Sequence, residues 1–375
     1  MTHLPVFLVA GLAEAPMSAA AMGLPCDLPG AVLLRHDIDV ERRTLTRTIA
    51  DLTGILEREV IYLEHLCVSC AIREDVVPTL ERLAALDRWE AVVTHLPLAA
   101  DPTQVCRVIE PDHGRSRGFR VAGVVVGLEG ETVREDLVGG DLLVERGLTT
   151  SSEDRRGLAE VTASLIEYAD IVAVFGDSDG TGPDGVDLGL VDALSRPGAL
   201  VLTDWPGLHA RDLLHGIHDH AASEAWVDEV RRGAMPPSRA PGVWTLDLVS
   251  SRPLHPGRFQ AEIAALALGG HRSRGCFHLA SRPGVVCGWA GAGDALSIGS
   301  VGEWGGEEPI TRIVVHGIAE GGAGEAEREV AERKHCIQRA FDAALLTDEE
   351  LRAGPVEAAR ADGLETWLGP IDTAA

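Results

Sequence analysis

From residue 4 to residue 203 the chain repeats one pattern: apolar runs of strand length, interleaved with stretches whose apolar residues recur at helical spacing. Runs at 4–10, 31–34, 60–63, 91–94, 119–126, 171–175 and 199–203 are strand candidates. Residues 76–86 place Val76, Val77, Leu80, Leu83 and Leu86 on one helical face, 158–169 reads as an amphipathic helix and 186–194 as a helix, and 47–57 has helical spacing too. Short apolar strands alternating with helices bury both sheet faces best as a doubly wound, mostly parallel sheet. An α/β fold is the expectation for this part of the chain.

The pattern changes at residues 233–242, Gly-Ala-Met-Pro-Pro-Ser-Arg-Ala-Pro-Gly. Three prolines and two glycines in ten residues sustain neither a helix nor a sheet interior, so this stretch reads as a linker. It divides the chain into a domain at 1–232 and a domain at 243–375, as expected for 375 residues, more than one core usually supports. Beyond the linker, strand candidates at 243–249, 276–280, 285–289, 296–300 and 313–315 stand with helices at 258–268 and 323–346. Antiparallel strands with helices on one face predict a smaller α+β module.

Charge narrows the function classes. The chain has 58 acidic against 33 basic side chains, a formal charge of −25, and its single lysine is Lys334. Such a surface repels phosphate backbones and offers no basic stripe to nucleic acid, whereas a basic protein partner suits it. No apolar run approaches the roughly 18 residues of a membrane span, and the N-terminus lacks the zones of a signal peptide. A cytoplasmic protein with no membrane partner is expected. Seven scattered cysteines in a reducing compartment are mostly small buried hydrophobes, and only Cys67 and Cys70 form a close pair.

Two stretches carry recognisable chemistry. Residues 11–18, Gly-Leu-Ala-Glu-Ala-Pro-Met-Ser, sit between the first strand and a short Ala-rich helix, with the spacing of a phosphate-binding P-loop. Gly11 and Ser18 keep its ends. Pro16 replaces the second glycine and removes a backbone N–H, and Met17 replaces the lysine that would meet the phosphates. The second stretch, 64–75, reads Glu-His-Leu-Cys-Val-Ser-Cys-Ala-Ile-Arg-Glu-Asp, a C-x-x-C between a strand and a helix. Two thiolates there can share a zinc ion, which wants four ligands; Glu64, His65, His95 and Cys106 are candidates to complete it. The same loop without metal, or a redox dithiol, are the other readings. His209, His215, His218 and His220 form a further group, with His215 and His218 at i, i+3; a solvated helix face is the plainer reading. The same holds for His36, Asp37 and Asp39, read as a solvated strand end rather than metal ligands.

Residues 67–73 resemble the CobW family of metal-handling GTPases, whose loop reads Gly-Cys-x-Cys-Cys-x-x-Arg. Cys67, Cys70 and Arg73 match, while Leu66 stands for the glycine and Ser69 for the middle cysteine. The likeness continues at 140–147 and 167–170 and is strongest after the linker. There 252–258 (Arg-Pro-Leu-His-Pro-Gly-Arg), 272–275 (Arg-Ser-Arg-Gly) and 279–282 (Leu-Ala-Ser-Arg) look like the CobW C-terminal domain. The resemblance implies a P-loop NTPase-type sheet followed by that domain. It also implies a lost GTPase. Thr94-His95-Leu96-Pro97 stands where the family carries Glu-Thr-x-Gly for magnesium, and 175–178 (Phe-Gly-Asp-Ser) where it carries the guanine-reading Asn-Lys-x-Asp. Zinc is then the expected metal at Cys67, Cys70, His65 and Glu64, with GTP and magnesium not expected. The Cys-Val-Ser-Cys-x-Ile-Arg-x-Asp loop and the tail at 345–350 resemble the actinobacterial branch of the family. That branch implies a role under zinc limitation, recruiting a ribosome hibernation factor to ribosomes; a GTP-dependent zinc metallochaperone is the alternative. Arg252, His255, Arg272, Arg274 and Arg282 are candidates for a partner-binding surface, or alternatively pins for turns of the C-terminal sheet.

Overall fold

A computed structural model describes residues 3–65, 68–109, 118–149, 154–176, 184–203, 210–236, 238, 240–319, 323–353 and 362–371. Eight strands, β1 (Leu4–Gly11), β2 (Ala31–Asp39), β3 (Thr44–Asp51), β4 (Gly54–Tyr62), β5 (Ala91–His95), β6 (Phe119–Glu129), β7 (Ile171–Phe175) and β8 (Leu200–Leu202), form one sheet. Its order is β4-β3-β2-β5-β1-β6-β7-β8. The six strands from β2 to β8 in this order pair in parallel, and β3 and β4 add an antiparallel extension beside β2. The central strands are apolar throughout, with Val6 to Ala10 fully buried, because both faces are covered.

Helix α1 (Glu14–Asp27) lies on one face over β1, β5 and β6. On the other face lie α2 (Val68–Ala71), a π-helical turn (Ile72–Val76), α3 (Val77–Ala85), α4 (Pro102–Ile109), α5 (Val133–Val138) and α6 (Leu158–Tyr168). After α7 (Gly185–Leu194), the short α8 (Ala210–Leu213) and α9 (His220–Val227) return the chain toward the second domain.

Two expected helices are corrected. Residues 47–57 belong to the β3–β4 hairpin, which turns at Gly54 with φ of 127°, a conformation unfavourable to other residues. In β3 the alternation of Leu45, Arg47 and Ile49 with Thr44, Thr46 and Thr48 is the signal that decides, since β-branched threonines favour a pleated surface. Residues 209–220 do not form one helix: α8 ends at Leu213, and Gly216 at φ of 88° breaks the path before α9. His209 lies outside the described residues.

The second sheet is antiparallel, with β9 (Val243–Ser250), β10 (His271–Phe277), β11 (Val285–Gly293), β12 (Ala295–Glu303) and β13 (Thr311–Ile318) in the order β12-β11-β10-β13-β9. Helices α10 (Pro256–Ala267) and α11 (Ala323–Ala344) pack together on one face around Phe259, Phe277, Trp289 and Phe341. The other face turns toward α6, and there Arg272 of β10 makes a bidentate ion pair with Glu167 of α6 at 2.9 and 3.0 Å.

Candidate functional site

In a sheet of this kind ligands bind beyond the carboxyl ends of the strands, where the connecting loops meet. A cavity of about 520 Å³ beside Leu4, Trp89 and Gly118 lies at the opposite end. At the carboxyl end, β1 stops at Gly11 and α1 already begins at Glu14, leaving only Leu12 and Ala13 between them. A phosphate-cradling loop of several free backbone N–H groups does not form in two residues. Met17 points inward and is fully buried among Phe7, Val9 and Ala20. A Cβ on Gly11 would stand 2.8 Å from Met17 Cγ and 2.7 Å from the Gly127 carbonyl, and one on Gly127 would stand 2.8 Å from Pro16. The first turns of α1 therefore seat directly on β1 and β6.

An ion-pair cluster stands at the mouth. Arg35 of β2 holds Asp37 through Nε and Nη2 and meets Glu14 Oε1 at 2.7 Å. Ser18 Oγ donates to Glu14 Oε1 at 2.5 Å and accepts from Arg35 Nη1 at 3.2 Å. The bond to Asp37 raises the Arg35 guanidinium above its ordinary range. Beside it His95, 2% exposed at the end of β5, donates through Nδ1 to the Leu96 carbonyl at 3.0 Å. Burial, helped by the Arg35 charge, lowers its pKa and keeps the ring neutral.

On the other face, His36 is fully buried and donates from Nε2 to Asp75 Oδ1 at 2.7 Å; it is no solvated strand end. Asp75 also accepts from Arg47, which reaches Glu57 and Glu59, and Arg82 of α3 closes on Glu57 at 2.8 Å. Burial alone would raise the Asp75 carboxyl, but His36 and Arg47 outweigh it and hold it below the usual range. This network ties the helix after the cysteine loop to β2, β3 and β4.

Of the loop itself, Glu64 and His65 are exposed, Cys70 is half-buried on α2, and Cys67 lies outside the described residues. Thiolate, imidazole and carboxylate are a donor set that suits zinc. His95 and Cys106 are held elsewhere: His95 lines the mouth beside Glu14, and Cys106 is buried against Tyr168. Among the described residues no three His, Cys, Asp or Glu side chains gather around a common point fit for a metal ion. His215 is exposed, while the His218 ring is buried and donates to Asp170 Oδ2 at 2.9 Å, so these two do not share a solvated helical turn.

The arginines proposed as a partner surface are largely engaged within the chain. Arg272, Arg274 and Arg282 are 4%, 8% and 6% exposed. Arg272 and Arg274 close on Glu167, and Arg282 closes on Asp362 and two C-terminal carbonyls. They pin turns and the domain seam. Arg252 is more exposed and pairs with Asp348; His255 caps α10 by accepting from the Arg258 N–H. What sequence reasoning missed is the cluster of Glu14, Arg35 and Asp37. Its one local signal was an acidic residue inside a stretch spaced to hold phosphates.

Comparison with known proteins agrees with this architecture in part. Residues 243–327 match the cobalamin synthesis protein CobW C-terminal domain. A Mycobacterium tuberculosis protein named zinc chaperone Rv0106 is 28% identical over 317 residues, spanning 80% of this chain and 74% of the relative. The zinc-regulated GTPase metalloprotein activator 1 of Dictyostelium discoideum is 21% identical over 282 residues, 69% of this chain and 57% of that protein. The solved Zn(II)-bound YjiA GTPase from E. coli aligns over 92% of this chain and 100% of its own at 15% identity, with a TM-score of 0.36. Among the described residues, no helix is long and apolar enough to cross a membrane. Residues 243–327 are thus a CobW C-terminal domain, in a chain homologous over more than two thirds of its length to these zinc-linked relatives.

Proposed function

We propose that this chain is a zinc-responsive, CobW-like recruitment protein that works without hydrolysing GTP, bringing a ribosome hibernation factor to ribosomes when zinc is scarce. The observation that carries the loss of GTPase chemistry is the two-residue connection between β1 and α1, with Met17 packed where a P-loop lysine would reach outward. Glu14 at the start of α1 adds a carboxylate where a nucleotide would bring its own negative charge. The zinc connection is supported by the names of the relatives and by the thiol pair Cys67 and Cys70 with Glu64 and His65 alongside. The recruitment role rests on the resemblance to the actinobacterial branch and on a formal charge of −25, which suits a basic ribosomal or hibernation protein.

The relatives' names favour a second reading, a GTP-dependent zinc metallochaperone. Fluorescent GTP titrated with magnesium separates the two. The expected result is no saturable binding in the micromolar range; micromolar binding would transfer the conclusion to the metallochaperone. For the partner, a pull-down from zinc-starved cells is expected to retain a hibernation factor with ribosomes, and to lose both when zinc is added. Their absence from the starved sample would remove the recruitment reading.

A further inference from the structure

The mouth of the first sheet contains a cavity of about 130 Å³ that the proposed function does not use, lined by Glu14, His36, Asp37, Ile38, Val40, His95, Pro97, Leu98 and the segment from Gly147 to Thr149. Its chemistry is one-sided. A carbonyl oxygen can only accept, so the bond to Leu96 places the His95 proton on Nδ1 and leaves Nε2 as a bare lone pair. That nitrogen is buried and has no partner; it stands 3.8 Å from Glu14 Oε1, itself an acceptor and too far away to bond. His36 repeats the arrangement, with Nε2 engaged by Asp75 and Nδ1 buried without a partner. A buried acceptor left without a donor is unfavourable, so each of these two ring nitrogens calls for one.

Charge says what kind of donor. Glu14 and Asp37 contribute two negative charges and Arg35 one positive, so the cluster is short of a single positive charge. With no three metal-ligating side chains converging among the described residues, a directly held divalent ion is disfavoured. The remaining wall is aliphatic: Ile38, Val40, Pro97, Leu98 and Leu148. A volume of 130 Å³ equals roughly four waters at about 30 Å³ each, room for an unbranched chain of four or five heavy atoms.

We propose that this cavity binds a primary alkylammonium group, its methylenes against Ile38, Val40 and Leu148 and its N–H groups directed at His95 Nε2 and the Glu14 and Asp37 carboxylates. A lysine side chain of another protein and a free aliphatic diamine share that chemistry. The site has the opposite polarity to a phosphate pocket at the same end of such a sheet, and it stands independently of whether zinc or ribosomes are involved.

The test uses the full chain, uniformly 15N-labelled, with histidine ring nitrogens observed in long-range 1H–15N spectra. Titration with n-butylammonium chloride at constant ionic strength should shift the His95 Nε2 resonance upfield and saturably, since its lone pair gains a donor. Tetramethylammonium, a cation without donors, should leave it in place. Glu14→Gln should weaken butylammonium binding at least fivefold, and Leu148→Trp, which fills the cavity, should abolish it. If Glu14→Gln fails to fold by thermal unfolding, Leu148→Trp carries the test alone. No saturable shift, an equal response to tetramethylammonium, or undiminished binding in Leu148→Trp would overturn the proposal. Nα-acetyl-lysine methylamide and 1,4-diaminobutane separate the sources. Tighter binding of the first supports a protein-borne lysine, and tighter binding of the second a free diamine.

Discussion

Two of the arginine–carboxylate clusters in this molecule are opposites in their surroundings. At the carboxyl end of the first sheet, Arg35, Glu14 and Asp37 have side chains 30%, 47% and 44% exposed. Between the domains, the side chains of Arg272, Arg274 and Glu167 are 5%, 10% and 3% exposed. The interactions are alike, yet water screens the first freely and touches the second only at the edge of a cavity that Glu167, Arg272 and Arg274 line. The seam therefore acts as a structural lock, whereas the mouth cluster can exchange partners and admit a ligand. Burial alone would raise the Glu167 carboxyl; Arg272 and Arg274 outweigh it and hold it below the usual carboxylate range.

The largest expected consequence is at the seam. Glu167→Ala leaves two guanidiniums buried without their carboxylate and should destabilise the chain by about 3–5 kcal/mol, read as a shift of the chemical denaturation midpoint. A change below about 1 kcal/mol would mean that water reaches these arginines, and the contrast with the mouth would collapse.

Acid should act next, through histidines of the second sheet. Burial pushes His316 down to about 4, with the nearby Arg274 charge adding to it, and pushes His271 to about 4 as well, against 6.5 for an ordinary histidine. Between those values the unfolded chain binds protons that the folded chain does not. Their contribution to stability is thus complete above about pH 6.5 and is lost as pH falls toward 4. Denaturation midpoints measured from pH 7 to pH 4 should show that decline, and His316→Gln should remove part of the slope. An unchanged slope in the variant would take His316 out of the account.

The smallest effect on stability belongs to the mouth. Arg35→Ala should change folding stability by less than about 1 kcal/mol, as exposed ion pairs do. It should nevertheless tighten butylammonium binding, because Glu14 and Asp37 then share two unbalanced negative charges. A loss of several kcal/mol would show that the two clusters do not differ in kind.

Much of the architecture was legible in residue order. Apolar runs such as Val6 to Ala10 and Ile171 to Phe175 need cover on both faces wherever they are placed, and the Pro-Gly stretch at 233–242 interrupts both helix and sheet. The hairpin at 44–62 was not legible as such, because Ile49, Leu52 and Leu56 also fit a helical stripe. Pairing with β2 decided between the two patterns. Arg272, Arg274 and Arg282 were equally ambiguous. Arginine in a strand is a surface residue until a carboxylate distant in sequence arrives to neutralise it, and Glu167 is 105 residues from Arg272.

The sequence by itself determined the class of fold, the absence of a P-loop lysine at Met17 and the acidic character of the chain. These follow from side-chain identity and local spacing, which need no partner in space. Only the tertiary structure decided that α1 begins two residues after β1, that His95 keeps a bare nitrogen beside Glu14, and that two similar ion-pair clusters lie on opposite sides of the boundary between water and core. Each of those depends on groups brought together from distant parts of the chain, and on how completely the packing around them excludes solvent.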